Sequence, residues 1–297
     1  MIRVEAGSPD RPCGVATVFK ELGLPRSSHY ARAAREAAPM ALQKRGPKPL
    51  IPDEALVQAI RQALSSSPFL GEGYRKVHAR LRYAGIRVGK PRVMRLMREH
   101  GLQAPAKGRR SLGPRAHDGT ITTDRPDQMW GTDMTNCFTL NEGQAAVFGV
   151  VDHCTGELLG IHASKIGTRF EALEPVRQAV RSSFGGFQAA LVSGLKLRHD
   201  NGTQYTSDAF QQEIRWLGIE SSPSFIRAPE GNGVIERFWR TLKEQLLWIR
   251  SFQTVEELRL ALHAFKEHYN HHWLIQRHGH RTPTQVRIDL TGQATAA

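Results

Sequence analysis

Three acidic residues stand where their side chains could do chemistry. Asp133 lies midway along a predicted strand, Asp200 follows a later predicted strand, and Glu236 lies in the first turn of a long predicted helix. A carboxylate within a strand is not a typical solvated group, and hard divalent cations are natural partners for buried carboxylates. Carboxylates from two strands and a helix can converge on a pair of Mg²⁺ ions about 3.5–4 Å apart, an arrangement that serves phosphodiester chemistry.

Each acid also has a purely structural interpretation. Asp133 could be hydrogen-bonded within its strand, Asp200 could close an Asx turn, and Glu236 could interact with the dipole of its helix. For any one acid alone the structural interpretation is favoured, so the prediction of a site depends on all three together.

The chain around these acids alternates between predicted strands and helices. Predicted strands cover residues 129–140, 144–152, 157–164, 195–199 and 219–222. Predicted helices follow the capping residues Thr168 (to residue 183), Ser207 (to 217) and Thr254 (to about 271), and a long one covers 233–249. Three strands followed by alternating helices and strands predict a mixed α/β sheet.

The positive charge of the chain is confined to its N-terminal part. The 297 residues carry a net charge of +13. Residues 1–126 hold 24 Lys and Arg against 10 Asp and Glu (+14), whereas residues 127–297 hold 17 against 18 (−1). This asymmetry predicts a nucleic-acid-binding module joined to a near-neutral domain.

Residues 53–102 are the better candidate for that module. Asp53 is a predicted cap for a helix to residue 64, a second helix covers 72–83, and a third runs from Pro91 to Gly101. One face of the third helix is apolar and the other basic, as a recognition helix requires. The apolar residues are Val93, Met94, Leu96 and Met97, and the basic ones are Arg92, Arg95 and Arg98. A solvated basic face on an ordinary helix is an equally good interpretation.

The predicted domain organisation has six parts. Residues 1–38 contain a helix-turn-helix-like segment, in which Ser27 or Ser28 caps the second helix and for which an ordinary helical hairpin is at least as good an interpretation. A basic proline-rich linker (39–52), a helix-turn-helix DNA-binding domain (53–102) and a basic linker (103–126) follow. A catalytic domain (127–290) and a tail (291–297) complete the chain.

Composition argues against several classes of protein. The longest apolar run, 145–151, is far shorter than a membrane helix, and the N-terminus has no apolar signal region. The three cysteines form no C-x-x-C pair, which argues against a disulfide scaffold and a zinc finger. We therefore expect a protein of a reducing cytoplasm without a membrane partner.

The spacing of the acids, together with the residues beside them, resembles the integrase-core (OrfB) transposases of bacterial insertion sequences, in the group numbered three. The similar segments are Trp130-x-Thr132-Asp133-x-Thr135, His199-Asp200-Asn201-Gly202-x-Gln204-Tyr205-Thr206-Ser207, Pro229-x-x-Asn232-Gly233-x-x-Glu236-x-Phe238-x-x-Thr241-Leu242-Lys243, Tyr269-Asn270-His271 and Thr282-Pro283. The 35 residues between Asp200 and Glu236 match the interval that this family uses. Gly73-Tyr74-Arg75 and residues 92–97 resemble its helix-turn-helix segment.

The resemblance implies a ribonuclease H-like catalytic domain preceded by small all-α helix-turn-helix modules. Asp133, Asp200 and Glu236 would be the catalytic residues and would bind two Mg²⁺ or Mn²⁺ ions. Water would cleave DNA at the element end, and the freed 3′-hydroxyl would then attack a second phosphodiester. The implied partners are double-stranded DNA of the terminal inverted repeats and of the target, a second copy of the chain, and an upstream-frame product. Two DNA ends require at least a dimer.

Ten residues are predicted to contact DNA. They are Lys90, Arg92, Arg95, Arg98, Arg109, Arg110, Asn201, Asn232, Arg240 and Lys243. Asn232, Arg240 and Lys243 share a helix face with Glu236, which suits a DNA backbone led to the acids, although a Glu236–Arg240 surface pair is the alternative. The rings of Tyr205 and Trp239 could stack on a displaced base, with core packing the better role for Trp239. After His271 the sequence departs from the family pattern, which leaves the contacts of this segment open.

Two other functions share these features. One is a catalytically silent DNA-binding regulator that occupies element ends, against which the presence of all three acids argues. The other is a ribonuclease H-type hydrolase of RNA–DNA hybrids, against which the helix-turn-helix segment and the spacing of Asp200 and Glu236 argue.

Overall fold

The computed structural model describes residues 15–23, 25–37, 50–105, 121–224 and 232–295. The chain divides into two compact units, Met1–Ile51 and Pro52–Ala297. In the first unit, helix α1 covers Val15–Glu21 and helix α2 covers Arg26–Ala37. Because α2 already begins at Arg26, Ser27 and Ser28 lie inside its first turn, and neither is the cap that the sequence predicted.

The second unit begins with three short helices, α3 (Asp53–Ser65), α4 (Tyr74–Tyr83) and α5 (Lys90–Glu99). Gly85 and Gly101 adopt φ values of +78° and +64°, which side chains rarely allow and which end α4 and α5 where the sequence predicted. The predicted cap at Asp53 is wrong, since Pro52 is the capping position and makes no side-chain hydrogen bond. On α5, Val93, Leu96 and Met97 are buried, as the apolar face predicted.

A five-stranded mixed sheet forms the rest of this unit. Its strands are β1 (Met129–Thr139), β2 (Gly143–Asp152), β3 (Leu158–Ser164), β4 (Lys196–His199) and β5 (Glu220–Pro223), in the order β3-β2-β1-β4-β5. The first three strands are antiparallel, whereas β4 and β5 run parallel to β1. The helices of this part are α6 (Arg169–Phe184), α7 (Thr203–Thr206), α8 (Asp208–Leu217), α9 (Gly233–Leu242), α10 (Val255–His272) and α11 (Pro283–Thr295).

Side-chain caps fix three of these helices where the sequence predicted them. The hydroxyls of Thr168, Ser207 and Thr254 accept hydrogen bonds from the third backbone N–H of α6, α8 and α10 respectively. The capping box of α10 is incomplete. In a complete box the Glu257 carboxylate would accept a hydrogen bond from the backbone amide of Thr254, but here it accepts one from the backbone amide of Gln253.

Alternate residues of β2 enter two hydrophobic cores on opposite faces of the sheet. Val147 and Val151 pack with α9 and α10, whereas Phe148 and Val150 pack with α6 and α8. Helices on both faces of a mixed sheet of this order confirm the predicted ribonuclease H-like fold. None of the helices in the described ranges combines the length and apolar character that a membrane span requires.

Two features of the C-terminal part differ from the predictions. The predicted helix 233–249 stops being an α-helix at Leu242 and continues as a π-helical turn, Lys243–Leu247. Helix α11 was not predicted, and it continues to Thr295, into the segment predicted as a tail. The position of the other domain boundaries stays a prediction.

The three N-terminal helices of the second unit pack directly on its C-terminal part. The ring of Phe69 meets Trp273 edge-on at 4.8 Å between centroids, and the side chain of Gln245 exchanges two hydrogen bonds with the backbone of Leu70. The Tyr83 hydroxyl donates to the carbonyl of His280 at 2.9 Å. The segment after His271, which departs from the family pattern, therefore holds the helical module against the sheet domain.

Candidate active site

Asp133 points from β1 toward helix α9. Its Oδ2 accepts a hydrogen bond of 3.0 Å from the indole N–H of Trp239, a residue of α9 with only 4% of its surface exposed. Opposite Asp133 on β2 stands Gly149, where a Cβ would lie 3.0 Å from Cη2 of Trp239. The glycine therefore leaves the space in which the indole ring reaches the carboxylate.

The pKa of Asp133 is raised from its ordinary value of 3.8 to about 6. Burial is the main cause, and the negative charges of Asp200 and Glu236 raise it further, while hydrogen bonds from the Met134 amide and Trp239 oppose the shift. The two other acids that the sequence singled out thus lie close enough to Asp133 to act on its charge.

Asp200 lies exposed at the carboxyl end of β4. Its Oδ1 accepts a hydrogen bond of 2.8 Å from the amide of Gly202, which is the Asx turn given above as the structural alternative. The turn engages one carboxylate oxygen. It orients the side chain and is compatible with a ligand on the other oxygen.

Glu236 lies exposed in the first turn of α9, whose start is fixed to β1. Asn232, with 6% of its surface exposed, donates from its amide to the carbonyl of Thr132 at 3.1 Å. The prediction that Asn232 contacts DNA is therefore contradicted by its burial. Its contact joins α9 to the strand residue next to Asp133 and so sets the position of Glu236.

The donor set suits a hard divalent cation. Within the described ranges no three His, Cys, Asp or Glu side chains are close enough to hold a metal ion in the present geometry. The negative charges of Asp200 and Glu236 nevertheless raise the pKa of Asp133, and a cation bound among the three carboxylates would relieve this repulsion. Asp133, Asp200 and Glu236 are therefore the residues that could hold one.

Two of the predicted recognition arginines are engaged within the protein. Arg92 and Arg95 both pair with the carboxylate of Asp53, at 2.8 and 2.7 Å, and Arg95 also pairs with Glu99 at 2.7 Å. The prediction that all three arginines of this face are available to DNA is therefore contradicted, because the charges of Arg92 and Arg95 are already compensated within the protein. The exposed side chain of Arg98 keeps the predicted orientation.

The other predicted DNA contacts differ in their surroundings. Arg240 pairs with Glu244 at 2.9 Å. The amide of Lys243 donates to the carbonyls of Trp239 and Arg240 at the end of α9, so Lys243 keeps its predicted α-helical position seven residues after Glu236. Asn201 is exposed and donates to the Ser224 carbonyl at 3.3 Å. Arg109 and Arg110 lie outside the described residues.

The aromatic residues near the acids are part of the core. Tyr205 is fully buried beside His199, with ring centroids 5.7 Å apart, so it cannot stack on a displaced base. Trp239 is a core residue, as favoured above, but its hydrogen bond to Asp133 was not predicted. A signal was present in the sequence: Trp239 follows Glu236 by three residues, one turn along the same helix.

Comparisons with known proteins agree on the family. The model of the integrase core domain matches residues 123–229, a second integrase core model matches 217–283, and a helix-turn-helix-like domain model matches 52–110. The transposase InsD of insertion element IS2 from Escherichia coli is 29% identical over 219 residues, covering 72% of each chain. InsD of insertion element IS2-9 from strain K12 is also 29% identical, over 72% of this chain and 71% of its own length.

Solved structures of viral integrases are also similar. A chain of the simian T-cell lymphotropic virus intasome has 20% identity and a TM-score of 0.47, covering 72% of this chain and 74% of its own. The HTLV-2 integrase catalytic core in complex with magnesium has 20% identity and a TM-score of 0.41, covering 55% of this chain and 97% of its own.

Proposed function

The chain belongs to the integrase core family and is homologous to insertion-element transposases, and on this premise we propose that it is a DDE-type DNA transposase whose catalytic residues are Asp133, Asp200 and Glu236. The observation that carries the assignment is the action of the charges of Asp200 and Glu236 on the partly buried Asp133. Acids that are far apart in sequence thus act on the charge of Asp133, which supports the assignment of the three to one site.

The proposed reaction has two phosphodiester steps. Water cleaves the DNA at an element end, and the freed 3′-hydroxyl attacks a second phosphodiester, so no covalent bond to the protein forms. Bound Mg²⁺ or Mn²⁺, as a pair of ions, would activate the attacking oxygen and stabilise the leaving one. The three carboxylates would hold the ions.

The surrounding side chains orient these carboxylates. Trp239 holds Oδ2 of Asp133, and the turn at Gly202 holds Oδ1 of Asp200. Asn232 fixes the start of the helix that carries Glu236. All three contacts use neutral donors, which orient the acids and leave their negative charge in place.

The proposed partners follow from the reaction. The substrates are duplex DNA of the element ends and of the target, and joining two ends requires at least two copies of the chain. The product of an upstream frame is a further partner proposed from the resemblance. Such a reaction takes place on the DNA of the bacterial cytoplasm.

Substitution of the acids tests the assignment. Asp133→Asn, Asp200→Asn and Glu236→Gln should each abolish Mg²⁺-dependent joining of labelled end DNA to a plasmid while leaving binding of that DNA intact. Asp208→Asn, at an exposed position at the start of α8, is the matched control and should keep activity. Near wild-type strand transfer by any one of the three would show that the triad is wrongly assigned.

The same assay separates this function from the two others. A silent regulator would bind end DNA without metal-dependent joining. A hydrolase of RNA–DNA hybrids would cut a labelled hybrid and leave the end DNA unjoined.

A further inference from the structure

An open groove of about 720 Å³ lies where helix α4 meets the segment between α10 and α11. Arg82 and Tyr83 line it from α4, and Arg277, Arg281 and Asp289 line it from the C-terminal segment. Three arginines face one carboxylate, so the lining of the groove is positively charged. None of these arginines was among the residues predicted to contact DNA.

The arginines of the groove are held mainly by neutral groups. Arg277 donates to the carbonyls of His153 and Cys154, both at 2.9 Å, and Arg82 lies 3.4 Å from the carbonyl of Gly279. A carbonyl fixes the position of a guanidinium without cancelling its charge. Among the residues that the structure describes, Arg281 is the one arginine of the groove that is paired with an acid, the Asp289 of the groove itself.

Further positive charge gathers at the α5 end of the groove. Burial lowers the pKa of His280, and the charges of Lys90 and Arg82 lower it further. Burial and the charge of Arg277 lower the pKa of His278 to about 4. The lowered pKa values of both histidines are thus consistent with an excess of positive side chains around them. Lys90, the first residue of α5, is the positive residue at this end of the groove.

The other end of the groove lies beside the start of α9. Arg277 donates to the carbonyl of His153, and a Cβ on Gly131 would lie 2.7 Å both from the His153 ring and from the side chain of Asn232, the residue before α9. Arg237 is exposed in the first turns of α9, next to Glu236 in the chain, and its charge acts on Arg277. Basic side chains therefore extend from the helix-turn-helix module to the helix that carries Glu236.

We propose that Arg82, Arg277 and Arg237, here called the arginine track, bind the phosphate backbone of the duplex DNA that runs from the helix-turn-helix module to the active site. The proposal rests on the proposed function and adds the path of its substrate. Guanidinium groups match phosphate oxygens in bidentate geometry, and an open groove suits an extended polyanion better than a small ligand. Because every nucleotide carries the same phosphate, a contact between these fixed, uncompensated charges and the backbone would be independent of base sequence.

The test uses the full-length protein with Asp133→Asn, without metal, so that binding is measured apart from catalysis. The substitutions Arg82→Gln and Arg277→Gln are introduced together. Affinity for a 40-base-pair duplex of random sequence is measured between 50 and 200 mM KCl. Loss of two phosphate contacts should reduce the slope of log K against log salt by about 1.8, which corresponds to about 60-fold weaker binding at 0.1 M salt.

A double variant with Arg181→Gln and Arg215→Gln is the matched control. Both residues are exposed, on α6 and α8, which cover the opposite face of the sheet from α9 and α10. It should keep the parent slope. If the track variant does not fold, Arg237→Gln replaces it, with an expected change in slope of about 0.9.

An unchanged salt slope in a folded track variant overturns the proposal. Binding of polyglutamate, an acidic polypeptide, is measured in parallel. If the track variant binds polyglutamate more weakly than its parent but keeps the salt slope for DNA, the proposal is overturned too, and the groove is assigned to an acidic protein segment. If the wild type joins DNA while the track variant keeps its slope, only the track fails. If the wild type neither binds duplex nor joins it, the proposed function fails as well.

Discussion

Replacing Asp133 with asparagine should stabilise the metal-free protein at neutral pH although it abolishes the proposed activity. The folded-state pKa of Asp133, about 6, lies above its ordinary value of 3.8, so the folded state binds this proton more tightly than the unfolded state. Stability is therefore lost as the pH rises from about 4 to 6 and the buried carboxyl ionises. Asparagine does not ionise, and its amide oxygen can still accept the hydrogen bond from Trp239.

The size of the effect follows from the two pKa values. The difference between 3.8 and about 6 corresponds to a free energy on the order of 3 kcal/mol. For a unit of this size, 1 kcal/mol shifts the midpoint of thermal unfolding by about 2–4 °C. The variant should therefore unfold roughly 6–12 °C above the wild type at pH 7–8, and the two proteins should converge near pH 4.

The assay is thermal unfolding in EDTA at half-unit steps between pH 4 and 8. Asp208→Asn, at an exposed position, should show no such pH-dependent gain. Addition of Mg²⁺ at pH 7.5 should stabilise the wild type but not the Asp133 variant. An equal gain at pH 4 and pH 8 would refute the reasoning, since the cause could not then be the ionisation of a buried carboxyl.

Two further substitutions probe the packing around the site. Trp239→Phe removes the N–H that holds the carboxylate and should weaken Mn²⁺ binding about 10–100-fold in calorimetry. Trp130→Phe, which removes a 2.9 Å indole bond elsewhere on β1, should leave Mn²⁺ affinity unchanged, and equal losses would assign both effects to packing. Glu72→Gln leaves the half-buried Arg80 without its charge partner and should lower the free energy of unfolding in urea by about 3 kcal/mol. Glu256→Gln breaks an exposed pair and should cost less than about 1 kcal/mol, so similar losses for both would contradict this role of Glu72.

Local signals account for what the sequence predicted correctly. The caps at Thr168, Ser207 and Thr254 were readable because a capping hydroxyl acts on an amide only three residues away. The carboxylate site stays a prediction, and it rests on a different kind of signal. Strand ends and the first turn of a helix meet at predictable places in a mixed sheet, and the motifs around the acids resemble a known family.

Long-range partners account for what the sequence could not predict. Helical periodicity placed Arg92 and Arg95 on one face, but it could not show that Asp53 would meet them there. Likewise, Arg277 is anchored by backbone carbonyls more than 120 residues away in the chain, and no side-chain pattern marks a carbonyl as a partner. A π-helical turn also leaves no periodic signature, so the change of helix type after Leu242 was not predicted.

The type of partner separates charges that serve a ligand from charges that serve the fold. Asp53 pairs with both Arg92 and Arg95, which joins α3 to α5, and Glu99 supplies a second negative charge to Arg95. Asp133 and Arg277, in contrast, are fixed by an indole N–H and by carbonyls, which orient a charge and leave it uncompensated. An uncompensated charge in a partly buried position is costly to the free protein and is relieved only when an opposite charge binds. An uncompensated charge therefore makes Asp133 destabilising without metal, and it makes the arginine track a site for phosphate. Helix α5, the predicted recognition helix, has fewer uncompensated charges than its sequence suggests.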